Sequence, residues 1–175
     1  GGISGLVTLL LAHSGSTAMI VNHGDISATS QAGRGIAYVS LATAYATGAQ
    51  VYGFAYGGGE AGISNDGSIT ADASLVGGIV AATALKTFGS TSTVDNAAGA
   101  TIAATAEATL FGGVGAVAVE AGGLYGVAVA NDGNISAYAR AHAYTDGVHG
   151  YYGASRALAV DAIGETGLDR HWDFT

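Results

Sequence analysis

The sequence predicts an all-β fold of the β-solenoid (β-helix) kind, built from about four to five degenerate repeats of ~33 residues. Three observations carry that expectation: a recurring turn-and-strand unit, apolar residues that alternate with period two, and glycines placed so that they interrupt helices.

The unit is Asn22-His23-Gly24-Asp25-Ile26-Ser27-Ala28, which returns as Asn65-Asp66-Gly67-Ser68-Ile69-Thr70-Ala71 and Asn131-Asp132-Gly133-Asn134-Ile135-Ser136-Ala137. A degenerate copy runs from Asn96 through Gly99 and Ile102 to Ala104. Asn tolerates left-handed backbone angles and Gly adopts them freely, so each unit reads as a turn entering a short strand. Asn22, Gly24, Ile26, Asn65, Gly67, Ile69, Asn96, Gly99, Ile102, Asn131, Gly133 and Ile135 are thereby expected to form a structural turn ladder.

The anchor isoleucines are separated by 43, 33 and 33 residues, which places an insertion of about ten residues in the first unit, around Tyr52 to Gly62. A second mark is a glycine before a β-branched residue, at Gly35-Ile36, Gly78-Ile79, Gly113-Val114 and Gly147-Val148. Gly1 to Asn22 resembles Gly77 to Asn96, so the array, residues 1–164, starts in mid-repeat and is expected to be a slice of a longer one. Residues 165–175 break the pattern and form a non-repeat tail.

Alanine is roughly a fifth of the chain and has the best helix propensity, so helix must be argued against. Each glycine costs a helix interior about 1 kcal/mol, which confines long helices to a few stretches free of glycine. Ile69-Thr70-Ala71-Asp72-Ala73, Val117-Ala118-Val119 and Ile135-Ser136-Ala137-Tyr138-Ala139 alternate as strands do. Turn-strand units of this length bury no face alone, but repeated units share a core.

Composition narrows the function classes. Only 10% of residues are charged, and acids exceed bases by 13 to 5, so the chain has no basic stripe to neutralise phosphates and nucleic acid is not an expected partner. No cysteine is present, which removes disulfides and thiolate metal sites. The apolar run Leu6 to Ala12 is shorter than the roughly 18 residues a span needs, so direct membrane insertion of this segment is not expected.

The loose Asn-x-Gly-x-Ile-x-Ala unit, across roughly residues 1–160, resembles the passenger repeats of bacterial autotransporters and filamentous-haemagglutinin-like adhesins. That resemblance implies secretion, a bacterial extracellular or cell-surface location, and adhesion or biofilm roles. Nothing in the chain matches the translocator barrel of those proteins.

No catalytic, cofactor or metal site is expected from the residues present. Asp25, Asp66, Asp95 and Asp132 read as turn caps near the anchors, and the five histidines lack metal-ligand spacing. Five Lys and Arg residues are few for a polysaccharide-degrading enzyme, which is the least favoured reading. Gly57-Gly58-Gly59 lacks the Lys-Ser/Thr of a phosphate loop, and Thr91-Ser92-Thr93 occurs once where an ice-binding face needs many copies. Tyr138, Tyr144, Tyr151 and Tyr152 cluster late and form a candidate contact patch for glycan or protein, with ordinary strand packing as the alternative.

The expected function is a non-catalytic structural rod of an adhesin or surface fibre without a cofactor. The alternative is a subunit that self-associates end to end into an extracellular filament, and other surface proteins or glycans are the remaining partners.

Overall fold

A computed structural model describes residues 17–32, 42–53, 59–142, 144–145, 150–151 and 153–164. Their elements are β1 (Thr17–Asn22), β2 (Asp25–Ala32), β3 (Ala42–Gly53), β4 (Glu60–Asn65), β5 (Ser68–Asn96), β6 (Thr101–Asn131), β7 (Asn134–Ala141), β8 (Tyr144–Thr145), β9 (Gly150–Tyr151) and β10 (Gly153–Gly164). Eight of them form one sheet, in which β5 and β6 are the long central members. Every pairing in this sheet is parallel. Beside it, β8 and β9 make a two-stranded antiparallel ladder.

All-β content agrees with the sequence reading, but the solenoid of four to five stacked coils is corrected. Stacked coils need each strand to end at a corner after the few residues usual for a strand. Here pairing runs along the 29 residues of β5 and the 31 of β6, interrupted only by register shifts at Leu75/Gly77 and Gly89/Thr91. The result is extended parallel strands in a sheet, and stacked coils are not shown. Repetition in the sequence specifies which residues pair, and it leaves the larger architecture open.

The pairing follows the repeats. β2, β3 and β4 lie beside successive stretches of β5, β5 lies beside β6, and β7 and β10 lie beside successive stretches of β6. Ile26, Ile69, Ile102 and Ile135 are consecutive register partners, as are Asn22, Asn65, Asn96 and Asn131. Four rows of chain are thus laid side by side with equivalent residues touching.

Two register marks move. Gly78 pairs with Gly112 rather than Gly113, because the Leu75/Gly77 shift adds a residue to β6. Both glycines have positive φ, 134° and 139°, and a Cβ on Gly112 would lie 1.7 Å from the Gly78 carbonyl oxygen, so side chains are excluded at this crossing. Gly35, Ile36, Gly147 and Val148 lie outside the described residues, as do the tail residues 165–175.

The extra length of the first row is also divided differently. Ala32 pairs with Leu75 and Ala42 with Gly78, so nine residues run where the second row has two. A further excess lies between Gly53, which pairs with Gly89, and Glu60, which pairs with Thr91. The fourth row lengthens at the first of these register shifts: eleven residues, β8 and β9 among them, separate Ala141 from Gly153, where three separate Ala108 from Gly112.

Alternation explains the core. Along β5, Ile69, Ala71, Ala73 and Leu75 are buried, while Asp72 between them is exposed. Ile102, Ala104, Ala106 and Ala108 of β6 repeat the pattern one row on. The interior is mostly alanine, with Ile63, Ile69, Leu75, Val80, Leu85, Val94, Ile102, Val114 and Val119 as its larger members. Alanine contributes little burial per residue, so well-fitted contacts over many positions must supply the cohesion.

Candidate functional site

The most developed polar constellation is the asparagine ladder. Asn22 Nδ2 donates to Asn65 Oδ1 at 2.7 Å, Asn65 Nδ2 to Asn96 Oδ1 at 2.8 Å, and Asn96 Nδ2 to Asn131 Oδ1 at 2.7 Å. Every link points the same way along the sheet. Asn22 is nearly buried, Asn65 and Asn96 are fully so, and Asn131 is exposed.

Three of the four amides also organise their own turns. Asn22 Nδ2 donates to Gly24 O and Asn65 Nδ2 to Gly67 O, while the Gly24 and Gly67 N–H groups donate back to the Oδ1 of Asn22 and Asn65. Asn131 Nδ2 likewise reaches Gly133 O. A primary amide carries two donors and a carbonyl, so one side chain can join a turn to its neighbour in the next row.

The turns continue the backbone ladder. Asp66 N donates to Asn22 O, Ala97 N to Asn65 O and Asp132 N to Asn96 O. Ser68 N donates to Gly24 O, Thr101 N to Gly67 O and Asn134 N to Ala100 O. Ala100 thus holds in the third turn the place of Gly24 and Gly67. That turn is two residues longer, and Gly99 sits in the added part with φ of 84°. Gly133 packs on the same turn: a Cβ there would lie 2.4 Å from Ala100 O.

Three of the four candidate tyrosines lie on described strands. Tyr138 projects from β7 and is exposed, the backbones of Tyr144 and Tyr151 pair across β8 and β9, and Tyr152 lies outside the described residues.

Charged pairs that motif reading missed follow the same register. Lys86 Nζ lies 2.5 Å from Glu120 Oε1 between direct partners of β5 and β6. Glu107 Oε1 lies 4.0 Å from Arg140 Nη1, its partner on β7, and 3.8 Å from His142 Nε2. At the turns, His23 Nδ1 meets Asp66 Oδ2 at 3.1 Å. Their signal was opposite charges one repeat apart. Among the described residues, no group of three or more His, Asp or Glu side chains could hold a metal ion.

No protein-family model, curated protein or solved structure matches the chain. The fold and the ladder define its class as an all-β repeat protein with a parallel sheet and an internal amide ladder.

Proposed function

We propose that this chain is a non-catalytic structural segment of a bacterial extracellular or cell-surface adhesin or fibre. The observation that carries the reading is the asparagine ladder, in which the polar turn residues of successive rows are spent on one another. Amide chains of this kind polarise each other and rigidify what they cross-link. A scaffold gains from that use, and the outward positions of alternating strands remain available for contacts with a surface. The resemblance of the Asn-x-Gly-x-Ile-x-Ala unit to adhesin passenger repeats points in the same direction.

The test is immunolabelling of intact and permeabilised cells that express the natural gene. Equal labelling of both is expected. Labelling that requires permeabilisation contradicts the surface location and sinks the reading.

A further inference from the structure

We propose that a second copy of this chain adds head to tail, with its β1 and β2 pairing in parallel onto residues 126–131 of β6 and onto β7. Among the described strands, β1 pairs only with β4 and β2 only with β5, while β7 and residues 126–131 each pair on one side. Edge strands of this kind template the addition of another strand.

Polarity makes the two ends complementary. Throughout the sheet the turn of one row offers carbonyls and the next row supplies N–H groups, from Asp66 to Asn22, Ala97 to Asn65 and Asp132 to Asn96. Continued by one step, Asn131 O receives the His23 N–H of the next copy, and Gly133 O that of Asp25. The side-chain ladder continues with it, because Asn131 is its terminal acceptor and Asn22 its first donor, so that Asn131 Nδ2 meets Oδ1 of Asn22 in the next copy. Such a contact is heterologous, joining different patches of two copies, and it leaves new ends for further growth.

Side chains suit the same register. Ile135 meets Ile26 of the next copy, and Asp132 meets His23, repeating the His23–Asp66 pair made within one chain. Asp25 falls opposite Asn134 and Gln31 opposite Arg140, so like charges do not oppose each other. The C-terminal edge has burial to gain: Ile69 and Ile102 are fully buried, whereas Ile135, the equivalent residue, is only partly so. Val129 stands in the same relation to Val94.

The inference names the partner of the scaffold proposed above, but its test uses purified chain and does not depend on cellular location. The double variant Ser27→Cys/Ser136→Cys introduces thiols at two exposed positions of a chain that has no cysteine. Within one chain these positions are separated by the rows of Thr70 and Ala103, about 14 Å at ordinary strand spacing and beyond disulfide reach. Between copies they are direct partners.

Mild oxidation is expected to give a ladder of covalent oligomers on non-reducing gels. The shifted pair Thr29→Cys/Ser136→Cys should give roughly fivefold less, because diagonal neighbours lie farther apart. Asp132→Lys, at an exposed turn position, should lower the assembled fraction in sedimentation roughly tenfold by opposing His23 and removing the acid. Equal cross-linking of the two pairs, monomeric sedimentation at every concentration, or assembly unaffected by Asp132→Lys overturns the proposal.

Discussion

Asn65 Nδ2 donates to Asn96 Oδ1 at 2.8 Å, and both side chains are fully shielded from solvent. Asn65 also accepts from Asn22 and closes its own turn onto Gly67, so a single amide joins three rows. Loss of that amide therefore removes bonds to both neighbouring rows and to its own turn.

Asn65→Ala removes the donor to the buried Asn96 Oδ1 and the acceptor of the Gly67 N–H, while Asn22 Nδ2 keeps the Gly24 and Ser68 carbonyls; each orphaned buried group costs about 1–3 kcal/mol. Asn131→Ala, at the exposed end, is expected to cost under about 1 kcal/mol because water replaces the lost bonds. Urea unfolding of the two variants checks the contrast, and equal losses would show that the ladder does not stabilise the fold.

Ile102 is fully buried between Ile69 and Ile135 on neighbouring strands. Ile102→Ala should lower stability by about 2–5 kcal/mol, while Ile135→Ala at the half-open edge should cost distinctly less. Thermal unfolding followed by circular dichroism distinguishes the two.

Ala104 is packed between Ala71 and Ala137 in the small-residue interior. Ala104→Leu adds volume where the rows leave none, and a loss of about 1–3 kcal/mol or more is expected. A neutral outcome in chemical denaturation would mean that the alanine interior contains room the structure does not show.

Thr87 is buried, and its hydroxyl has no hydrogen-bond partner. Thr87→Val keeps the shape and removes the unpaired group, so it should stabilise the chain by about 1–3 kcal/mol. A higher denaturation midpoint with an unchanged slope is the expected result, and a lower midpoint refutes it.

A Cβ on Gly67 would stand 2.1 Å from the Gly24 carbonyl oxygen of the preceding turn. Gly67→Ala must push two turns apart and is expected to cost more than the ~1 kcal/mol of an ordinary Gly/Ala exchange. Hydrogen exchange should show the loss concentrated at the Asp66 and Ser68 amides, which bond to that preceding turn.

Which parts of this fold were legible depended on what kind of signal each residue carries. Asn22, Asn65, Asn96 and Asn131, like the four anchor isoleucines, recur with recognisable chemistry and pair in register. Gly99 misled because a glycine inside the lengthened turn looks like its counterparts, whereas the place is held by Ala100, whose carbonyl does the pairing. Gly113 misled for a similar reason: the single-residue shift beyond Leu75 is invisible to a count of glycines. The sheet architecture was not legible, since repeats state a pairing rule and say nothing of how far a strand continues before it ends. The charged pairs were legible in principle, because Lys86 and Glu120 stand one repeat apart, but only once the register is known.

The register shift between Leu75 and Gly78 ties these facts to a practical property. The same point takes two residues in the second row and three in the third, yet nine in the first and eleven in the fourth, with the flanking pairs kept in register in every case. The number of residues there is uncoupled from the sheet register, which makes it a natural splice point. A foreign peptide inserted after Val76 or Thr109 would be carried at a defined spacing from row to row, turning the chain into a ruler for displayed sequences.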